Sequence, residues 1–328
     1  MGGDVYQASA AARAVYAAAD EALGFPLSTL CFEGPESALR ETVNTQPAIV
    51  ATSLALLAAL QEAVGATGAN GGLALSSPIR PEFVAGHSVG EYTAVAASGA
   101  LDVVDTLRLV RERGRLMHEE GLRIPSGMAA VLGMDSETLT TICAEATEQA
   151  RAALPAVDLA AHPGAGRVVV ANDNAPGQIV ISGATAALDI AMEMARARGA
   201  KRVVPLAVSG AFHSPVMAPA ATGLAAAIAQ APIQAPAIPL ISNITAAPLT
   251  AAPALRDELA HQIAAPVQWT RTIEYLAGQG VETFVEIGPG QVLSGLIKRI
   301  AKGPTLLAVG AAADIPTVAE RLATLMGA

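Results

Sequence analysis

The sequence predicts an α/β fold built on a largely parallel sheet. Ala-rich helical stretches alternate with short β-branched runs along the whole chain, the pattern of strands joined by helical crossovers. Hydrophobic residues make up 52% and charged residues 15% of the chain, enough apolar surface for a large core. A length of 328 residues, at about 150 per domain, allows two domains or one carrying an insert.

Helical periodicity places helices near 5–22, 47–64, 89–98, 103–119, 136–152, 185–198, 215–230, 254–264, 270–278, 290–301 and 314–326. Strands are expected near 82–86, 128–133, 167–171, 178–182, 202–207, 237–241, 282–287 and 305–309. Between Gly127 and Leu206 the order is strand, helix, strand, strand, helix, strand. This βαββαβ order is the ferredoxin-like pattern. It predicts a small subdomain, 126–207, inserted into a larger α/β domain formed by 1–125 and 208–328, with a cleft between the two. Within the insert, Pro155–Arg167 reads as a surface loop. The Pro-rich stretch 230–240 reads as a linker ending in a strand.

Composition excludes several function classes. Twenty basic against 29 acidic residues leave a net charge of −9, and aromatic residues are 3%, so a nucleic acid is not an expected partner. Mean hydropathy is +0.44, yet the longest strongly apolar stretch, Pro47–Leu60, falls short of the roughly 20 residues that span a bilayer. It reads as a buried core helix, and no membrane partner is expected. The N-terminus carries Asp4 and no long apolar region, unlike a secretory signal. Tyr6 occupies the position where a myristoylation signal needs Ser or Thr. Cys31 and Cys143 lie far apart with no CxxC partner and read as buried free thiols in a reducing cytoplasm. The five histidines show no metal-ligand spacing, so neither a metal nor a prosthetic group is expected.

The sharpest local signal runs from Glu82 to Tyr92. A short apolar run leads into Gly86-His87-Ser88-Val89-Gly90, and a helical pattern follows. This is G-x-S-x-G in its required context of strand, tight turn and helix. The glycines leave room for a strained turn that lifts the Ser88 hydroxyl to the carboxyl edge of the sheet. The helix aims its free N–H groups at a developing oxyanion, with Val89 N–H as the first donor. A serine nucleophile needs a base. His118 sits near a helix end beside Glu119 and Glu120, His162 in the irregular loop, and His261 on an amphipathic helix. His213 lies at a strand end, in Ser209-Gly-Ala-Phe-His-Ser-Pro215, and faces the same sheet edge as Ser88. Either a catalytic base or a helix-entry residue fits that position.

Helix 103–119 carries a further signal. At about 100° per residue, Leu107, Val110, Gly114 and Met117 share one face, while Arg108, Arg111 and Arg115 share the opposite, solvated one. Arg113 falls at the border of the apolar face. A guanidinium pointed inward requires an anion, either a buried carboxylate of the protein or the carboxylate of a substrate.

Taken together, these residues resemble the malonyl-CoA:acyl carrier protein transacylases and the acyltransferase domains of polyketide synthases. The resemblance spans the chain and rests on several motifs in order: Asn44-Thr-Gln-Pro-Ala48, Gly86–Glu91, Arg113-Gly114, Asn174–Gln178, Gly210–Ser214, Pro266-Val-Gln-Trp269 and Glu286–Gly290. It implies an α/β-hydrolase-like domain with the ferredoxin-like insert. It also implies ping-pong transfer of a malonyl group from malonyl-CoA to the phosphopantetheine thiol of acyl carrier protein. Ser88 would be the nucleophile and His213 its base. Arg113 would pair with the malonyl carboxylate, and His87 would contact the acyl group. In the family a backbone carbonyl orients the base, and Gln268 is the residue matched to it. Phe212, before His213, matches the malonyl-selective version and would crowd an α-methyl group. Basic candidates for docking the acidic carrier protein are Lys201 and Arg202, or Lys298, Arg299 and Lys302. Family members usually open with a β-strand and Gly-Gln-Gly-Ser-Gln upstream of the position matching Met1, which supplies a second oxyanion donor worth about 10²–10³ in rate. This chain begins at MGGDVYQ, so either a truncated active enzyme or a weak or non-catalytic binding relative fits that start. A serine esterase is the other alternative, but esterases of this fold place an acid between Ser and His, and Arg113 has no role there.

Overall fold

The computed structural model describes residues 1–66, 73 and 80–325. Its strands are β1 (Val84–Ala85), β2 (Ser126–Leu132), β3 (Val168–Ala175), β4 (Gln178–Ala184), β5 (Arg202–Pro205), β6 (Leu240–Ile241), β7 (Pro248–Leu249), β8 (Thr283–Ile287) and β9 (Thr305–Val309). The chain is a mixed α/β, helix-rich fold. Its sheets are less parallel than the alternation of elements predicts. β1 pairs with β6 and β8 with β9 in parallel, but β7 runs antiparallel to β6. The four-stranded sheet, in the order β3-β4-β2-β5, is antiparallel throughout. Only Pro176 and Gly177 separate β3 from β4, and so short a turn can join only antiparallel neighbours. Strands expected at 82–86 and 237–241 shorten to two paired residues each.

Most helices lie where periodicity places them. The helix expected at 5–22 divides into Gly3–Ala8 and Ala10–Leu23, because Ser9 caps the second through a hydrogen bond from Ala12 N–H to its Oγ. Two short helices, Leu27–Glu33 and Glu36–Arg40, escape the sequence reading, and Ala156–Ala161 is helical inside the segment read as a loop. Residue 326 of the expected helix 314–326 lies outside the described residues.

The central helix begins at Thr42 rather than 47 and runs to Ala63. Pro47 lies inside it and cannot donate to the Val43 carbonyl one turn back. Arg111 Nη1 donates to that carbonyl instead, at 2.6 Å, and also to Asn44 Oδ1, at 2.6 Å. Arg111 is therefore half-buried over Phe25 and not on a solvated face, contrary to the helical-wheel reading. By length and composition this 22-residue helix could cross a membrane, but most of it is buried in the protein core.

That core groups Tyr16, Leu54 and Leu56 with Leu107 and Val110 of the helix Val103–Gly121. A second apolar cluster, with Ile142, Ile181 and Leu188, packs the helices Ser136–Ala153 and Thr185–Ala197 onto one face of the four-stranded sheet. The sheet's other face presents Met128, Ala171 and Val180 to the half-buried ring of Phe212. Cys31 and Cys143 are free and buried, and burial pushes their thiols up to about 11 and about 12.

The crossing of the two central helices is set at Gly114. A Cβ there would lie 2.9 Å from both Thr42 O and Val43 Cα. The helix carrying Arg113 thereby approaches the start of the helix carrying Gln46. Gly114→Val is expected to destabilise the protein by about 1–3 kcal/mol, as overpacking does elsewhere, read as a fall in Tm. An unchanged Tm would contradict this packing.

Candidate active site

Short strand β1 ends at Ala85, and the helix Gly90–Ala97 starts five residues later. The turn between them is tight: Gly90 N–H donates to His87 O at 2.9 Å and Glu91 N–H to Ser88 O at 3.0 Å. A Cβ on Gly86 would sit 2.0 Å from Gly90 O, so no other residue fits there without moving the turn. Ser88 itself has φ +51°, a left-handed conformation unusual for a residue with a side chain. Val89 N–H has no acceptor among the described residues.

His213 also has positive φ, +57°. Its Nε2 lies 2.6 Å from Ser88 Oγ. Its Nδ1 faces two backbone carbonyls, Gln262 O at 2.9 Å and Ala265 O at 3.1 Å. Carbonyls only accept, so the ring proton sits on Nδ1 and the Nε2 lone pair is turned to the serine hydroxyl. Those carbonyls come from the 3₁₀ turn Gln262–Ala264 and the residue after it, not from Gln268. Gln268 O is occupied by Thr272 N–H at the start of the helix Trp269–Gly278, and Gln268 N–H donates to Asn243 O. The expectation for Gln268 is thus corrected to Gln262 and Ala265.

Arg113 is 1% exposed and makes no ion pair among the described residues. Its guanidinium is held by two amides: Nη1 donates to Gln46 Oε1, and Nη2 to Gln262 Oε1 at 2.9 Å. Nη2 also lies 3.2 Å from Ser88 Oγ, and the cation faces the Tyr92 ring 5.6 Å away. Gln262 therefore touches Ser88, His213 and Arg113. Its carbonyl holds His213, its Oε1 holds Arg113, and its Nε2 donates to Ser88 O at 3.0 Å and to Glu91.

His87 turns away from the dyad. Its Nε2 donates to Asn174 Oδ1 of β3 at 2.7 Å, and its ring meets Trp269 edge-on at 5.5 Å. Burial lowers its pKa. Asn174 is in reach because Val267 bonds to β3 on both sides: Val267 N–H donates to Ala171 O and Asp173 N–H to Val267 O. The other histidines stay apart from Ser88. His162 Nε2 bonds the buried Glu120 at 2.6 Å, and His261 is exposed on its own helix.

The sequence reading thus named Ser88, His213, Arg113 and His87, and missed the amides that hold them. Gln46 belongs to the quoted Asn44–Ala48 motif, so a signal existed. For Gln262 and Asn243 no local pattern marks a role, since their partners come from 149 or more residues away for Arg113 and Ser88.

A left-handed serine after a strand, an imidazole nitrogen within hydrogen-bond distance of its hydroxyl and a buried cation beside that hydroxyl make up the candidate active site. The chain belongs to the acyl transferase domain family, whose profile matches residues 1–319. It is 39% identical to the malonyl CoA-acyl carrier protein transacylase of Bacillus subtilis over 99% of this chain and 92% of that protein. The acyl-carrier-protein-S-malonyltransferase of Bartonella henselae superposes with a TM-score of 0.86 at 37% identity, over 100% of this chain and 95% of that one. A malonyl-transacylase solved in complex with its type II polyketide synthase acyl-carrier protein gives 0.86 at 34% identity, over 98% and 94%.

Burial and the nearby Arg113 cation push the His213 imidazole down from 6.5 to about 3, against the opposing pull of the Gln262 carbonyl. His213 therefore remains a neutral acceptor as pH falls through 6.5. Acylation of Ser88 is expected to stay level from neutral pH down to about pH 5, where an ordinary histidine would be almost wholly protonated. The unfolded chain takes up this proton first, so the contribution of His213 to stability falls as pH drops from 6.5 towards 3. A kcat/KM profile with a limb at 6.5 would contradict this environment.

Proposed function

We propose that this chain transfers a malonyl group from malonyl-CoA to the phosphopantetheine thiol of acyl carrier protein. The observation that carries the reading is Arg113: a buried guanidinium held by neutral amides, without a carboxylate partner among the described residues, beside the serine hydroxyl. Such a cation is poorly compensated until an anion enters, and a malonyl carboxylate supplies one.

In the first half-reaction Ser88 Oγ attacks the thioester carbonyl and passes its proton to His213 Nε2. The Gln262 and Ala265 carbonyls stabilise the resulting imidazolium through Nδ1–H. Val89 N–H stabilises the oxyanion. The carbon–sulfur bond breaks, and the CoA thiolate takes the proton from His213. In the second half-reaction the carrier thiol gives its proton to His213 and attacks the malonyl ester, and the proton returns to Ser88. His87, fixed by Asn174, borders the acyl group, and Phe212 limits its width.

The finer architecture belongs to the same reading. The order β3-β4-β2-β5 and a separate apolar cluster support a ferredoxin-like insert at 126–207 within an α/β-hydrolase-like domain of 1–125 and 208–328. Reduced, buried thiols support a cytoplasmic setting. All five basic docking candidates, Lys201, Arg202, Lys298, Arg299 and Lys302, are exposed, and Arg299 also bonds Gln178 and Pro176 O.

Incubation with malonyl-CoA is expected to add one malonyl group to the intact mass, and Ser88→Ala to abolish the gain. No adduct on the folded wild type would overturn the reading. Arg113→Ala is expected to lower kcat/KM for malonyl-CoA by about 10²-fold or more while sparing acetyl-CoA, because the lost contact is one that only the carboxylate makes. An equal loss on both thioesters would place Arg113 outside acyl recognition. Phe212→Ala is expected to raise methylmalonyl-CoA turnover relative to malonyl-CoA, and an unchanged ratio would remove Phe212 from acyl selection.

A further inference from the structure

Beneath the elbow lies a buried polar cluster to which the acyl-transfer scheme assigns no role. Asn243 is 2% exposed and follows β6. Its Oδ1 accepts from Ser88 N–H at 2.8 Å, and its Nδ2 donates to Gly86 O at 2.7 Å. The Gly86 carbonyl and the Ser88 N–H flank His87, and neither has another hydrogen bond among the described residues.

Asn243 is itself pinned on every side. Glu91 Oε1 accepts from both its backbone N–H and its Nδ2, each at 2.9 Å. Its carbonyl takes Gln268 N–H at 2.8 Å. The turn it sits on is anchored by Glu258, which accepts from Ser242 Oγ at 2.5 Å and Ile244 N–H at 3.0 Å. A left-handed residue with a side chain persists only where its surroundings over-determine it. Ser88 is such a residue: Asn243 holds its N–H and the Gly86 carbonyl, while Gln262 Nε2 holds its carbonyl.

We propose that Asn243 is a positioning residue: its carboxamide clamps the Gly86 carbonyl and the Ser88 amide, and so holds Ser88 in the conformation that presents Oγ to His213 and Arg113. Loss of the clamp frees the Gly86 carbonyl and the Ser88 N–H and lets Ser88 relax towards negative φ. Oγ then moves off the Nε2 lone pair, while Arg113, anchored separately by Gln46 and Gln262, keeps its place. The defect should therefore fall on the reactivity of the serine and not on recognition of the substrate.

This inference rests on Ser88 being the nucleophile, so the test reads that first. A small serine-directed fluorophosphonate, which carries no carboxylate for Arg113, is timed on wild type, Asn243→Ala, the near-isosteric Asn243→Asp and Leu188→Ala. The last removes a buried side chain of the second apolar cluster, away from the elbow. Wild type and Leu188→Ala should label at similar rates. The two Asn243 variants should label about 10- to 100-fold more slowly, as small misplacements of a reacting group cost elsewhere. With malonyl-CoA the same loss should appear in kcat, with KM changed less than about threefold. Wild-type labelling by either folded Asn243 variant would overturn the inference, as would an equal loss in Leu188→Ala. If Asn243→Ala does not fold, the Asp variant decides. An unlabelled wild type would instead refute Ser88 as the nucleophile.

Discussion

The burial of one uncompensated cation organises this molecule. Arg113 is 1% exposed and has amides, not carboxylates, for partners. Burying a charge without a counter-charge is costly, and the surrounding architecture is arranged to bear that cost. Gly114 brings its helix against the start of the central helix so that Gln46 reaches Nη1. The turn at Gln262 brings a second amide to Nη2. The Tyr92 ring offers its face at 5.6 Å. None of these partners neutralises the charge, and that is what leaves Arg113 available to an anion beside Ser88.

The same cation shapes the dyad. Burial is the main cause that disfavours protonation of His213, and the Arg113 charge adds to it. The imidazole is thus held neutral, and its tautomer is set by two carbonyls in place of a carboxylate. Carbonyl dipoles orient the ring without offering the guanidinium a full counter-charge. Among the described residues no carboxylate meets either His213 Nδ1 or the Arg113 guanidinium.

Glu91 stands below this arrangement as its base plate. Burial, with the Glu258 carboxyl beside it, raises its pKa well above the usual carboxylate range. It gathers donors from Asn243 and Gln262, the two residues that hold the elbow and the arginine. The elbow, the base and the cation come from separate stretches of chain, and this small buried network keeps them in register.

The sequence alone determined much of this. Period and alternation located most long helices and the succession of strands and helices along 126–207, because amphipathic spacing is a local property. The elbow was legible because its tight turn leaves no room for a side chain at Gly86, two residues before the serine. Arg113 stood out because a charge on an apolar face is visible on a helical wheel. Tertiary structure decided the rest. Arg111 looked solvated until the carbonyl orphaned by Pro47 drew it inward. Gln268 looked like the partner of His213, but its carbonyl is spent on starting a helix, and that role fell to Gln262 and Ala265. Gln46, Asn243 and Gln262 act through hydrogen bonds to residues 67 to 174 positions away. A hydrogen bond depends on where the fold brings two groups, and local patterning carries no record of a partner so distant along the chain.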